Sequence, residues 1–433
     1  MSIEIDVKNN TEKIKNAVDT FVKHLESLYD TYPLVTIILR ATSLASGQKL
    51  KEFLKKVSEK VKEDEEKEYF TIDYEHLYKF KKLKRKSENS ALADQIIPRN
   101  FIVSLVSLFD AYVGELIRAI YLIQPEKLNA SEKNLTFSKL LEFNSIDEAR
   151  EYLVEKEVES VLRESHTKQF EWLENKLGVK LTSDLPSWKT FIEITERRNL
   201  FVHCNGIVSS QYLMVCKYHK VDLAESLKVG SVLDVDETYF LKAYRCIFEI
   251  GVKLSQVIWR RLDDEDTNNA DTSIVEIIYE LIYRGDYQLA IEISDLATHK
   301  VFKHHNNDNK LICIINKAQA LKWNGNNDAC IELINNIDWS ASSDKFKLAS
   351  EVLKENYSEV FKYMKRIGRN HDEITKDSYK DWPLFRELRT HVDFPNVYLD
   401  IFGEKFESIE IDEEPAIGYY QKLAKGKIES NNT

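Results

Sequence analysis

The chain has 433 residues, 43% of them hydrophobic and 31% charged, and carries a formal net charge of -11 at pH 7. That length exceeds the size at which one core keeps growing, so two or three domains are expected. The negative charge excludes a globally basic nucleic-acid coat or a polybasic membrane binder, while leaving room for a local basic patch.

Only 12 glycines and 7 prolines are present, too few for the turns of a sheet-rich protein, and the composition predicts an all-α fold. The five cysteines (Cys204, Cys216, Cys246, Cys313 and Cys330) are odd in number and widely spaced, with no C-x-x-C pair, which fits a reducing cytoplasm. No apolar stretch is read as reaching the roughly 18 residues needed to span a bilayer. The polar start Met1 to Asn10 lacks a signal-peptide core. The expectation is a cytoplasmic protein with no membrane partner.

Residues 1–86 are expected to form an N-terminal helical segment. Ile14, Val18, Phe21, Leu25 and Leu28 recur at helical spacing between Asn10 and Asp30, as do Leu50, Phe53, Leu54, Val57 and Val61 within a second helix from Tyr32 to Glu68. A charged run, Lys62 to Glu68, precedes the basic stretch Lys79-Phe80-Lys81-Lys82-Leu83-Lys84-Arg85-Lys86. Such a stretch serves either as a solvated helix end or as a grip on RNA phosphates.

Pro98 introduces a buried helix from Phe101 to Ile123, with Ile102, Leu105, Phe109, Tyr112, Leu116 and Ile120 on one face. Ser107, Asp110 and Gly114 share a smaller, more polar strip, where Asp110 either orients a catalytic group or makes an ordinary salt bridge. A charged helix from Ile146 to about Leu177 follows. The next starts near Pro186, carries Trp188, Phe191 and Ile194 toward a core, and ends near Gly206 and Ser209-Ser210. A loop or short hairpin from Val221 to Asp236 leads to a last apolar helix, Tyr239 to Leu262.

Residues 263–272 open with Asp263-Asp264-Glu265-Asp266-Thr267-Asn268-Asn269 and read as an acidic linker. Residues 273–424 read as paired helices turning at Gly285-Asp286-Tyr287, at Gly325-Asn326-Asn327 and near Asn356-Tyr357. Residues 425–433 form a polar tail. His304-His305, beside Asn306-Asn307-Asp308-Asn309, reads as exposed loop rather than a metal site. Glycine followed by tyrosine two positions on and then by alanine resembles the turn of the tetratricopeptide repeat. That resemblance implies a concave surface for a protein partner or trigger.

The most informative run is Arg198-Asn199-Leu200-Phe201-Val202-His203. Arginine offers a planar fork of donors to a phosphate, and histidine exchanges protons near neutrality. With about 100° per residue, Asn199 and His203 share a helix face, whereas Arg198 and His203 stand roughly 140° apart. Two copies of this helix facing one another would each supply both groups to one cleft, so a composite site in a homodimer is expected. The competing structural reading pairs Arg198 with Glu193 or Glu196 and buries His203 in a core.

The run resembles the R-x(4)-H signature of HEPN ribonucleases, the higher eukaryotes and prokaryotes nucleotide-binding superfamily. Asn205-Gly206-Ile207-Val208 and then Tyr212 are similar to its H-x-x-G-x-V continuation. The resemblance covers residues 87–262 and implies a small, often dimeric helical bundle with metal-independent endoribonuclease activity, in which the ribose 2′-hydroxyl attacks the adjacent phosphate. In that scheme His203 is general acid or base, Arg198 stabilises the phosphate charge, and Asn199 positions substrate or the histidine; Asp110 is a supporting residue. RNA is the expected substrate, with no cofactor and no metal. The superfamily implies a toxin or antiviral-defence role; the alternative is a non-catalytic helical-repeat adaptor or nucleotide-binding interaction protein.

Overall fold

The computed structural model describes residues 7–64, 67–130, 135–183 and 185–407. The polar tail 425–433, the last part of the repeat region from 408, and the first residues of the polar start lie outside the described residues. The fold is all-α, with one two-stranded hairpin among the described residues.

Helix α1 (Val7–Val57) runs through Pro33 without a break, where the sequence predicts two helices. Proline removes one backbone donor, and tertiary packing offsets the loss: the neighbouring Tyr32 ring is buried and stacks on Phe240 at 3.8 Å. The second predicted helix ends early. Strands β1 (Ser58–Asp64) and β2 (Lys67–Ile72) pair antiparallel there, and Tyr69-Phe70-Thr71-Ile72 is rich in strand-favouring types. Helix α2 (Tyr74–Ile123) contains Pro98 rather than starting at it.

One unit of the chain comprises residues 17–118 with the described part of 131–250. Its core forms where the apolar half of α2 meets α1 and later helices: Phe21 stacks on Tyr112 at 4.1 Å, and Phe109 meets Phe191 edge-on at 4.9 Å. Each such ring, fully buried, contributes about 1.5–3 kcal/mol. The short α3 (Phe137–Leu140) precedes α4 (Ile146–Leu162) and α5 (His166–Leu177), two helices where one long charged helix is expected. The break at Arg163 to Ser165 places the α5 N-terminus beside α2. Gly114 is buried, and a Cβ there would stand 3.3 Å from Leu162 and 3.5 Å from Val158, so α4 crosses α2 closely at this point.

Helices α6 (Trp188–His203), α7 (Ser210–Tyr218) and α8 (Glu237–Leu262) complete the elements around the motif. Ser209 begins α7 rather than ending α6, its hydroxyl accepting from the Tyr212 amide at 3.1 Å. Contrary to the expectation, α2 is long and apolar enough to cross a membrane by length and composition; half of its most apolar stretch is buried in the protein, as in a core helix.

The other unit comprises described residues 7–16, 119–130 and 251–407. Its helices come in pairs: α9 (Thr267–Tyr283) with α10 (Tyr287–Ala297), α11 (Asn307–Trp323) with α12 (Asn327–Asn335), and α13 (Asp344–Leu353) with α14 (Tyr357–Ile367). Gly285 and Gly325 turn the first two pairs at φ +80° and +85°. Glu355 occupies the matching turn of the third at φ +58°, held by Lys322 at 2.8 Å. A short α15 (Lys376–Asp381) and α16 (Phe394–Phe402) follow. Trp382 to Phe385 lines a cleft of about 300 Å³ with α9, α11 and α13.

The stretch 263–272 departs from an acidic linker. It is helical from Thr267, and the side chain of Asp271 is fully buried. Asp271 accepts from Arg260 Nη2 at 2.7 Å, the His305 amide at 2.8 Å and Asn309 Nδ2 at 3.0 Å. His304 Nδ1 stands 3.0 Å from the same carboxylate and its Nε2 lies 2.7 Å from the Ala297 carbonyl. The segment is a loop and His305 in it is exposed, as expected, but the His304 side chain is buried at 5% exposure. Polar composition misreads the end of this stretch because the Asp271 charge is satisfied by partners as far as 38 positions away.

Candidate active site

Helix α6 carries the R-x(4)-H run in its last two turns. Phe191, Ile192 and Ile194 are buried and fix one face of the helix. At its end the Cys204 and Gly206 amides both bond the Leu200 carbonyl, at 2.8 and 3.0 Å. Gly206 has φ +78°, and a Cβ there would lie 3.1 Å from the Leu233 carbonyl oxygen. That close approach lets Leu233 donate its amide to the Gly206 carbonyl at 2.9 Å. Arg99 of α2 braces the same turn, donating from Nη1 to the Asn205 carbonyl at 3.1 Å.

Tyr212 supports the helix from α7. Its hydroxyl donates to Glu193 Oε1 at 2.7 Å, Tyr239 donates to Oε2 at 2.8 Å, and Arg197 Nε donates to Oε1 at 2.7 Å. Glu193 is 5% exposed, so three donors meet one buried carboxylate. Burial, followed by the nearby Glu193 charge, pushes both tyrosine hydroxyls well above their usual range. The partner of Glu193 is therefore Arg197, not Arg198.

Arg198 reaches across to α2 instead. Its Nη2 donates to Asp110 Oδ2 and its Nη1 to Asn199 Oδ1 at 3.2 Å. The other Asp110 oxygen lies 2.8 Å from His166 Nε2, at the first residue of α5. The His166 ring is wedged between Phe109 and Phe191, with centroids at 6.3 and 5.5 Å. One half-buried carboxylate thus bridges a guanidinium and an imidazole. The Arg198 side chain is 20% exposed, and its Nε is buried without an acceptor among the described residues.

His203 does not join this cluster. It is exposed at the end of α6, with no hydrogen-bond or ionic partner among the described residues. Exposed Val202 and Ile207 flank it in sequence, and Val232 is bridged to Ile207. The structure thus brings Asp110, Arg198 and Asn199 together and leaves His203 outward. His166 is absent from the sequence-based set: a lone histidine at a helix start, 56 positions from its partner, carries no local pattern.

Beside the cluster lies an open cleft of about 580 Å³, lined by His166, Glu196, Gln211, Met214, Tyr218 and His219 among others. Burial raises the Glu196 carboxyl, countered by the charges of His166 and Arg198, and burial lowers His219. Glu196 has no hydrogen-bond partner among the described residues. No group of three His, Cys, Asp or Glu side chains among the described residues is placed to hold a metal ion. No family model, curated protein or solved structure matches the chain.

Proposed function

We propose that residues 87–262 form a ribonuclease of the HEPN type, in which two copies of α6 complete one cleft. The observation that carries this reading is the opposite disposition of the two motif ends. Arg198 is oriented by Asp110 while keeping an exposed edge, and His203 projects outward with no partner of its own. A general acid or base must reach its proton directly, and an exposed, unpaired imidazole is free to do so. Exposed apolar residues beside it suit burial against a second copy. In the proposed cleft Arg198 neutralises charge on the phosphate, Asn199 positions substrate, and His203 transfers the proton. By resemblance, the biological setting is a toxin or antiviral response in the cytoplasm, with a partner or trigger on the helix pairs.

The Arg198–Asp110 ion pair also favours the second reading, a non-catalytic adaptor in which Arg198 is structural. Expression of the wild type, His203→Ala and Arg198→Ala in cells, with sequencing of RNA ends, separates the two. Fragments with cyclic phosphate ends only in the wild type support cleavage. Identical RNA in all three removes the ribonuclease reading, and a strictly monomeric mass under conditions where RNA is cut removes the composite cleft.

A further inference from the structure

A local charge asymmetry lies far from α6 in sequence. Residues 36–57 of α1 and 74–96 of α2 contain eleven lysines and arginines against four carboxylates, in a chain whose net charge is -11. All eleven cations are exposed: Arg40, Lys49, Lys51, Lys55 and Lys56 on α1, and the run from Lys79 to Lys86 on α2. Lys84 pairs with Glu88 at 3.8 Å, whereas Lys81, Lys82, Arg85 and Lys86 have no ionic partner among the described residues.

Two further observations give this surface a shape. A groove of about 420 Å³ runs between the helices, lined by Lys82, Arg85 and Lys86 with Thr42, Asn89 and Ser90. Preceding it on α2 are Tyr74 and Tyr78, 91% and 79% exposed. At about 100° per residue, Tyr74, Tyr78, Lys81, Lys82, Arg85 and Asn89 fall within one stripe of the helix surface. A solvated helix end has no use for two bared aromatic rings in line with a cationic groove. Stacking platforms followed by an electrostatic track are what an unpaired polynucleotide requires.

We infer that this α1–α2 surface binds single-stranded RNA, with Lys82, Arg85 and Lys86 holding phosphates in the groove and Tyr74 and Tyr78 stacking on bases. As a substrate-recruiting surface it rests on the ribonuclease reading; as a binding site it is measured without cleavage. The positive patch also resolves how a protein of net charge -11 approaches a polyanion, since local potential rather than total charge steers encounter.

The test is fluorescence polarisation of a labelled 20-nucleotide oligouridylate with the full chain, from low to moderate salt. The comparison set is the wild type, the triple variant Lys82→Ala, Arg85→Ala, Lys86→Ala, and the double variant Tyr74→Ala, Tyr78→Ala. All five side chains lie on the surface, so both variants fold. The triple variant should bind at least about tenfold more weakly at low salt, and its salt slope should shrink by about 2. The tyrosine variant should weaken binding by a similar factor with the slope unchanged.

Wild-type affinity and slope in the triple variant overturn the inference, as does binding to phosphatidylglycerol vesicles with none to RNA. Binding lost in the triple variant but kept in His203→Ala supports it even if the wild type cuts nothing, in which case the ribonuclease reading alone falls. Cleavage by the wild type with no dependence on the groove has the reverse meaning.

Discussion

Arg198 on α6 is held by Asp110 on α2, although the two residues are 88 positions apart. The second Asp110 oxygen takes His166, so this carboxylate fixes three elements relative to one another. Its loss should therefore be felt in stability as well as in any chemistry that Arg198 performs.

Asp110→Ala leaves a half-buried guanidinium with its Nε already lacking an acceptor. Removing one partner of a charged hydrogen bond at this depth costs about 2–3 kcal/mol. Urea unfolding should show that loss in the midpoint, while exposed His203→Ala should leave the midpoint where it is. Equal midpoints for Asp110→Ala and wild type would mean that the bridge does not hold these elements.

Tyr212→Phe and Tyr239→Phe each remove one donor from the buried Glu193 carboxylate. Each should destabilise by about 1.5–3 kcal/mol, as for other hydrogen bonds to a charged group. Because both serve one acceptor, the double variant should depart from the sum by at least about 0.5 kcal/mol in a double-mutant cycle. Strict additivity would contradict the shared-carboxylate geometry.

Gly206→Ala combines a left-handed backbone with a Cβ 3.1 Å from the Leu233 carbonyl oxygen. Gly325→Ala has φ +85° with open space around it, so it meets the backbone term alone. The Gly325 variant should lose about 1 kcal/mol and the Gly206 variant about 1 kcal/mol more. Paired denaturation curves decide the order, and an equal loss would show that the strand-like contact at Leu233 yields easily.

Burial alone would raise the Asp271 carboxyl, but hydrogen bonds from His304, the His305 amide, Arg260 and Asn309 outweigh it and hold the group at about 2. A carboxyl lowered in the folded state contributes stability above its unfolded value near 4, and this is lost as pH falls through 2. The contribution is about 2 kcal/mol at neutral pH. Wild type should lose it between pH 4 and 2, and Asp271→Asn should lack that pH-dependent part. Parallel acid-denaturation profiles for the two proteins would refute the assignment.

Much of this is legible in the sequence alone. Pro186 and Gly206 bracket α6, the spacing of Phe191 and Ile194 identifies its buried face, and the apolar period of α2 identifies its core half. Those signals are local. The bridge among Asp110, His166 and Arg198 depends on three separate helices meeting, and no spacing along the chain encodes it. Composition also misled where charge is buried: Asp271 sits in a stretch as polar as any linker, yet its satisfying donors lie up to 38 positions away. The third helix pair turns beside Asn356 as its sequence suggests, although it lacks a glycine there: Glu355 adopts the left-handed conformation that glycine supplies in the first two.

Cys204 follows His203 directly and is exposed, while Cys216, Cys246, Cys313 and Cys330 are buried. Burial also lifts the Cys216, Cys313 and Cys330 thiols to about 11, 12 and 11, which keeps them protonated and unreactive near neutrality. The native chain should accordingly titrate with one equivalent of Ellman's reagent, and two or more fast thiols would contradict the burial. A maleimide attached there would sit one residue from the proposed proton donor. The wild-type sequence therefore carries its own reporter: a short bismaleimide turns the meeting of two α6 ends into a doubled band on a denaturing gel.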